Sequence, residues 1–164
     1  MAVAKPRPAD KAKADGLQII TVNSKAYHDY LVRETYEVGV VLTGTEIKSI
    51  RAGKVNLREA FARVERGEVW LHNLHIAQYD HGNRWNHEPT RVRKLLLHKN
   101  QIRELQRETK SRGLTLVPVR LYISRDHAKI ELALAQGKKM YDKRQAMAER
   151  EANRDIERAV RARY

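Results

Sequence analysis

A mainly β fold, a small closed β-barrel with short flanking helices and a basic tail behind it, is what this 164-residue sequence predicts. Three observations carry that expectation. Several short segments alternate apolar and polar residues with the period of a strand, and the helical patterns between them are too brief to build a βαβ sheet. Hydrophobic residues make up 41% of the chain, enough for one core. After Gly137 the alternation stops and the composition turns to Ala, Glu, Lys and Arg.

Residues 1–16 mix Pro, Ala, Lys and Asp without periodicity and read as a flexible arm. The β-branched run in LQIITV, starting at Leu17, is a first strand. Ser24 is expected to cap a short helix with Tyr27, Tyr30 and Leu31 on one side. YEVGVVLTG alternates, with Val38, Val40 and Leu42 on one face. In TEIKSIRAG, Ile47 and Ile50 share a helical face, Glu46 near the start and Arg51 near the end suit the helix dipole, and Gly53 is a stop. AFARVERGEVWLHNLHIA reads as two strands joined at Arg66-Gly67-Glu68. Residues 79–90, YDHGNRWNHEPT, form a polar loop, and RVRKLLL returns as a strand or extended segment.

Asn100 is expected to cap the next helix, with Ile102 and Leu105 inward and Gly113 ending it. LTLVPVRLYIS puts Val117, Val119, Leu121 and Ile123 on one face; Pro118 cannot donate to a ladder, so this strand lies at an edge or carries a bulge. AKIELALA closes the pattern with Ile130, Leu132 and Leu134 inward. Residues 17–137 are therefore expected to form an OB-like barrel, the oligonucleotide-binding class that is small, partly open and presents one face to nucleic acid. Residues 138–164 are the tail.

The formal net charge of +13 is a statement about partners, and polyanions fit it best. No apolar run approaches the roughly 20 residues of a spanning helix, and the N-terminus lacks the apolar stretch of a secretory signal. Cysteine is absent, which removes disulfides and thiolate metal sites and suits a reducing cytoplasm. The tail holds nine Lys/Arg against five Asp/Glu, so four of the thirteen net charges lie there and nine precede it.

Within the tail, Arg150, Arg154, Arg158 and Arg161 recur at helical spacing and form one stripe. Like charges at this spacing repel by about 0.2–0.5 kcal/mol per pair. The large apolar residues Met140, Met147, Ile156 and Val160 are few. The tail is thus expected to be disordered alone and helical once RNA phosphates neutralise it. At its start, GKKMYDKR offers Lys138, Lys139, Lys143 and Arg144 to phosphates and Tyr141 to a base. On the body, Lys48, Arg51 and Lys54 cluster beside Glu46 and Asn56, and Arg91, Arg93 and Lys94 lie beside Leu95–Leu97 and His98; Arg93 and Lys94 are expected to contact RNA together with the first group.

Catalytic and metal chemistry find little support. His72 and His75 stand at odd spacing in a strand-like run, which sends them to opposite faces, and neither they nor His81 and His87 sit in a zinc motif. G-x-S-x-G, P-loop and G-x-G-x-x-G patterns are missing, so neither enzyme activity nor a cofactor is expected. Two other readings share some of these features. A ribosomal or generic single-strand-binding barrel would have the charge and fold without needing GKKMYDKR or the Arg stripe. A metal-dependent RNA enzyme would have to use the histidines.

VLTGTEIKSIRAGKVNLREAF, HEPTRVRKLLLHKNQI, LVPVRLYIS and GKKMYDKR, in that order, resemble the SmpB family from about Ile20 to the C-terminus. One departure is Glu88, where the family often has Asp before Pro-Thr-Arg. The resemblance implies a cytoplasmic, monomeric adaptor that binds the tRNA-like part of transfer-messenger RNA and carries it to ribosomes stalled on messages without a stop codon. Elongation factor Tu is an expected partner through the RNA. The body would lie where a codon–anticodon stem would otherwise sit. The tail would enter the empty messenger channel and contact small-subunit ribosomal RNA at the decoding centre. By similarity, Glu37, Lys48, Arg51, Lys54, Asn56, Leu96 and His98 face RNA on the body. Tyr141 matches a position expected to stack on ribosomal RNA; Asp142, Lys143 and Arg144 match the tail signature; and Arg158, Ala159 and Val160 match the distal segment needed after ribosome entry.

Overall fold

The computed structural model describes residues 17–82, 84 and 86–162, so the expected arm lies outside the described residues. Its elements run β1 (Gln18–Val22), α1 (Ser24–Asp29), β2 (Tyr30–Val40), α2 (Gly44–Arg51), β3 (Val55–Asn56), β4 (Phe61–Glu65), β5 (Glu68–His72), β6 (His75–Ile76), β7 (Arg93–Leu96), α3 (Lys99–Arg112), β8 (Thr115–Ser124), β9 (His127–Gly137) and α4 (Met140–Arg161). The strands pair in the order β8–β4–β5–β7–β2–β9, and β9 pairs again with β8, closing a ring of six antiparallel strands. β1 adds to β8 beyond its short contact with β4, and β3 with β6 forms a separate two-stranded piece.

Inward residues of the ring make the core. Val38, Val69, Leu71, Leu95, Leu116, Leu121, Ile130 and Leu132 are buried there, joined by Ile50 from α2 and Leu105 from α3. One feature of β8 differs from the simple alternation. The ladder with β9 slips between Pro118 and Arg120, where β8 carries an extra residue. A bulge reverses which side chains face in. Leu121 and Ile123 therefore join the main core, whereas Val117 and Val119 pack on the other side with Ala26 and Ala133 beneath α1. β8 is flanked on both sides, so Pro118 marks a bulge rather than an edge.

Two helix starts also differ from expectation. Asn23, not Ser24, caps α1: its Oδ1 accepts from the Ala26 N–H at 3.1 Å. Its Nδ2 donates to the carbonyls of Leu57 and Pro118, so one buried amide ties α1 to two other segments. His98, rather than Asn100, occupies the cap position of α3, its N–H donating to Gln101.

Residues 140–161 form the helix α4. Its 22 residues exceed the length at which isolated helices are marginal, and Ala, Glu and Arg are strong helix formers. Asp155 lies 3.7 Å from Arg158 and offsets part of the repulsion along the stripe. Support from the body is confined to its root. The Lys138 N–H donates to Asp29 O, and Lys143 Nζ lies 3.4 Å from the Asp29 carboxylate. Beyond Lys143 the described side chains are exposed or half-exposed, including Met147, Ile156 and Val160.

A buried ionic triad fixes α2 against the ring. The Glu46 carboxylate accepts from Arg91 Nε (2.7 Å) and Nη2 (2.6 Å), Arg93 Nε (2.8 Å) and the Thr43 N–H (2.8 Å). Arg93 also donates to the carbonyls of Leu74, Pro89 and Arg91. Glu46 and Arg93 are fully buried. Burial opposes the Glu46 charge, but Arg91, the Thr43 N–H and Arg93 outweigh it and hold the carboxyl below its usual range. A carboxyl so depressed stabilises the fold wherever it is ionised, and that contribution disappears as pH falls below about 4.5, its ordinary value.

Two outcomes are expected. Glu46→Gln leaves Arg93 buried without its counter-charge and lowers unfolding stability at pH 7 by about 3–5 kcal/mol, measured by urea denaturation. The gap between wild type and variant narrows as the titration is repeated at lower pH. In amide exchange, α4 beyond Arg144 loses protection well before β8 and β9, since nothing packs on it.

Candidate nucleic-acid interface

α2 presents two faces. Glu46, Ser49 and Ile50 point inward, while Lys48, Arg51 and, just past its end, Lys54 are exposed. The helical period makes this division once Glu46 is anchored. Each cation has a neighbour. Lys48 Nζ sits 5.4 Å from the centre of the Tyr79 ring, Arg51 lies 3.8 Å from exposed Asp126, and Lys54 Nζ donates to Asp80 at 2.5 Å. Asn56, on β3, is exposed and its Oδ1 accepts from the Arg58 N–H. These neighbours hold the cations outward, where phosphate can reach them.

β7 continues the surface by strand alternation. Arg93 and Leu95 face in; Lys94 and Leu96 face out. This corrects the expectation for Arg93, which is fully buried on Glu46 and cannot meet RNA directly. Its period-two relation to Leu95 was the signal that charge alone concealed. Lys94 is half-exposed and paired with Glu68 at 2.5 Å. Leu96 is 53% exposed. It lies across the ladder from Gly39, where a Cβ would stand only 3.4 Å from its side chain. Together with Val40, Leu42, Ile47 and Lys129 it borders a shallow groove between α2 and the β8–β9 turn. His98, two residues on, is exposed.

Glu37 stands on the same outward side of β2 as Gly39. Its carboxylate accepts from Lys129 Nζ and from the Tyr122 hydroxyl, and Lys129 first, then Tyr122, hold it below the ordinary carboxylate range. An ionised carboxylate next to a polyanion can still accept from a ribose 2′-hydroxyl or a base amino group. Sequence reasoning singled out neither Lys129 nor Tyr122, and their approach depends on long-range pairing of β2 with β9 and β8.

The tail cations lie elsewhere. Lys138 Nζ donates to Tyr27 O and Lys143 contacts Asp29, both at α1. Lys139, Arg144, Arg150, Arg154, Arg158 and Arg161 are exposed, and so is Val160 at 54%. The side chains of Tyr141 and Asp142 lie outside the described residues. The tail root adjoins Tyr30, which pairs with Gly137, whereas the α2 groove adjoins Gly39, which pairs with Lys129. At about 3.3 Å per residue, the nine steps from Tyr30 to Gly39 put the two basic regions roughly 30 Å apart along the strand.

His72 stacks on Phe61 with ring centres 5.2 Å apart, and buried His87 is bridged between Thr45 Oγ1 and Ile76 O. Among the described residues no group of three or more His, Asp or Glu converges on a metal position, and no helix is long and apolar enough to cross a membrane.

Comparison with known proteins agrees with this geometry. The family model described as "SmpB protein" matches residues 20–162. An "SsrA-binding protein" of Carboxydothermus hydrogenoformans is 60% identical over 147 residues, covering 90% of this chain and 99% of its own length. Another from Geobacillus kaustophilus is 59% identical over 151 residues, covering 92% and 97%. A solved chain described as "tmRNA-SmpB: a journey to the center of the bacterial ribosome" superposes with a TM-score of 0.63 at 50% identity, covering 75% of this chain and 86% of that one. By the span of the family match and the identity to these relatives, the chain belongs to the SmpB family.

Proposed function

We propose that this chain is an RNA-binding adaptor of trans-translation: it grips the tRNA-like domain of transfer-messenger RNA and delivers that RNA to stalled ribosomes. The observation that carries the reading is the separation of two basic regions to opposite ends of the β2–β9 ladder. One end is a rigid surface of cations around an exposed leucine. Such a surface recognises a folded RNA by shape and phosphate position. The other end launches a 22-residue helix that carries an Arg stripe and whose described side chains beyond Lys143 are exposed or half-exposed. That helix suits an RNA-walled channel, where phosphates neutralise every side at once.

In this reading the ring of strands is an oligonucleotide-binding barrel, residues 17–137 are the RNA-gripping body and residues 138–164 the ribosome-engaging tail. Lys48, Arg51, Lys54, Asn56, Lys94, Leu96, His98 and Glu37 form the grip, and Arg93 acts beneath it by fixing Glu46. Lys138, Lys139, Tyr141, Asp142, Lys143 and Arg144 begin the ribosomal contact. Arg150, Arg154, Arg158, Val160 and Arg161 extend it along the messenger channel toward the decoding centre. The adaptor works as a monomer in the cytoplasm, and elongation factor Tu joins through the RNA. No bond is made or broken by the chain itself; peptide transfer belongs to the ribosome.

The decisive experiment compares the full chain with residues 1–137. The shortened chain is expected to bind a transcript of the tRNA-like domain within about tenfold of wild type, ~1.4 kcal/mol, yet to fail in tagging peptides on stalled ribosomes. Loss of RNA binding beyond a hundredfold, or tagging without the tail, would refute the division. Replacing Tyr141, Asp142, Lys143 and Arg144 together by Ala is expected to reproduce the second defect and spare the first. Lys48→Ala and Lys54→Ala are each expected to weaken RNA binding and to reduce the slope of log K against log salt by somewhat under about one unit, as loss of one phosphate contact requires.

A further inference from the structure

The polar loop after β6 has a built form that neither the core nor the family match explains. Tyr79 is clamped at both backbone groups: its N–H donates to Asn86 Oδ1 at 2.9 Å, and its carbonyl accepts from Asn86 Nδ2 and the Gly82 N–H, each at 2.9 Å. Gly82 permits this closure, since a Cβ there would come within 2.6 Å of the Asn86 side chain. The clamp holds the half-buried Tyr79 ring beneath Lys48, and exposed His81 packs against it at 72° with ring centres 5.5 Å apart. Between the two rings in sequence, Asp80 holds Lys54. A short loop thus places two aromatic rings beside two of the proposed phosphate-contacting lysines.

From this arrangement we infer that His81 is a base-stacking platform at the edge of the RNA surface, with Tyr79 as its buttress. The inference rests on the RNA-binding reading above and extends it to a segment that reading does not use. An exposed imidazole has no packing reason to be ordered. Fixed by edge-to-face contact it offers a flat π surface, and a base that stacks there gains attraction without an ion pair. The lysines alongside hold the phosphates on either side of that base. Single-stranded or looped nucleotides are the fitting ligand, since only unpaired bases expose a face to a side chain. The platform therefore reads an unpaired nucleotide of the tRNA-like fold, while Lys48 and Lys54 register the backbone.

The test titrates the full chain and its variants against a transcript of the tRNA-like domain at several salt concentrations. His81→Ala is expected to lower affinity about fivefold or more, the loss of one stacked base, with an unchanged salt slope. His81→Phe is expected to restore wild-type affinity, because the ring and not its charge or hydrogen bonds is what counts. Tyr79→Leu, which keeps bulk but removes the buttressing ring, is expected to weaken binding with the slope unchanged. Thermal unfolding midpoints of the His81 variants should match wild type, since His81 is exposed. His81→Ala binding as tightly as wild type, or His81→Phe as weakly as His81→Ala, would overturn the platform. Wild-type protein that fails to bind the transcript at all would instead overturn the RNA-binding reading itself.

Discussion

A single buried carboxylate organises the surface proposed to meet RNA. Glu46 takes four hydrogen bonds, from Arg91, Arg93 and the Thr43 backbone, and it sits at the start of the helix whose other face carries Lys48 and Arg51. Arg93 in turn ties down the carbonyls of Leu74, Pro89 and Arg91, and so anchors both ends of the loop containing Tyr79 and Asp80. Repulsion among clustered cations would drive an unanchored helix away from its neighbours. The ionic triad opposes that from the inside, with two positive charges balanced on one negative charge within the fold. A core of Leu and Ile at the same positions would fill the space but would not fix the helix azimuth so sharply, because apolar contact is not directional.

The long β2–β9 ladder supplies the second constraint. It runs over nine paired positions, from Tyr30 with Gly137 to Gly39 with Lys129, and its two ends border different surfaces. Near Gly39 the outward side chains join the α2 groove; near Tyr30 the chain turns into α1 and receives the root of α4. The continuous ladder joins the proposed grip to the tail root. The helix beyond Lys143 has no such support. A stiff body and a free-standing helix give an adaptor one part that is always formed and one part whose position its surroundings decide.

Much of this was legible from local pattern, and the exceptions share a cause. The helix at Ile47 and Ile50, the hairpin at Arg66-Gly67 and the inward set Ile130, Leu132 and Leu134 follow from period and turn chemistry alone. The face of Val117 and Val119 did not, because the bulge beside Pro118 reverses it. Charge alone places Arg93 on the surface, where a cation is ordinarily solvated; its partner Glu46 is 47 residues away and comes close only through the fold. The cap at Asn23 was assigned one residue late for the same reason, as its amide is satisfied by Leu57 and Pro118. The tail forms a helix, as its Ala, Glu and Arg content allows. Lys129 and Tyr122 around Glu37 belong to other strands and left no trace in the local sequence.

The α2 surface and its surroundings are proposed to be shaped for one folded RNA rather than for polyanions in general. Charge of +13 would retain many RNAs; a fixed array of cations, an exposed leucine and an acceptor carboxylate would select one. The most direct measurement is to isolate the full-length chain from its own cell extract at moderate salt and sequence the RNA that stays bound. One discrete structured species with a tRNA-like end is the predicted result. A mixture of ribosomal and messenger fragments in proportion to their abundance would contradict it.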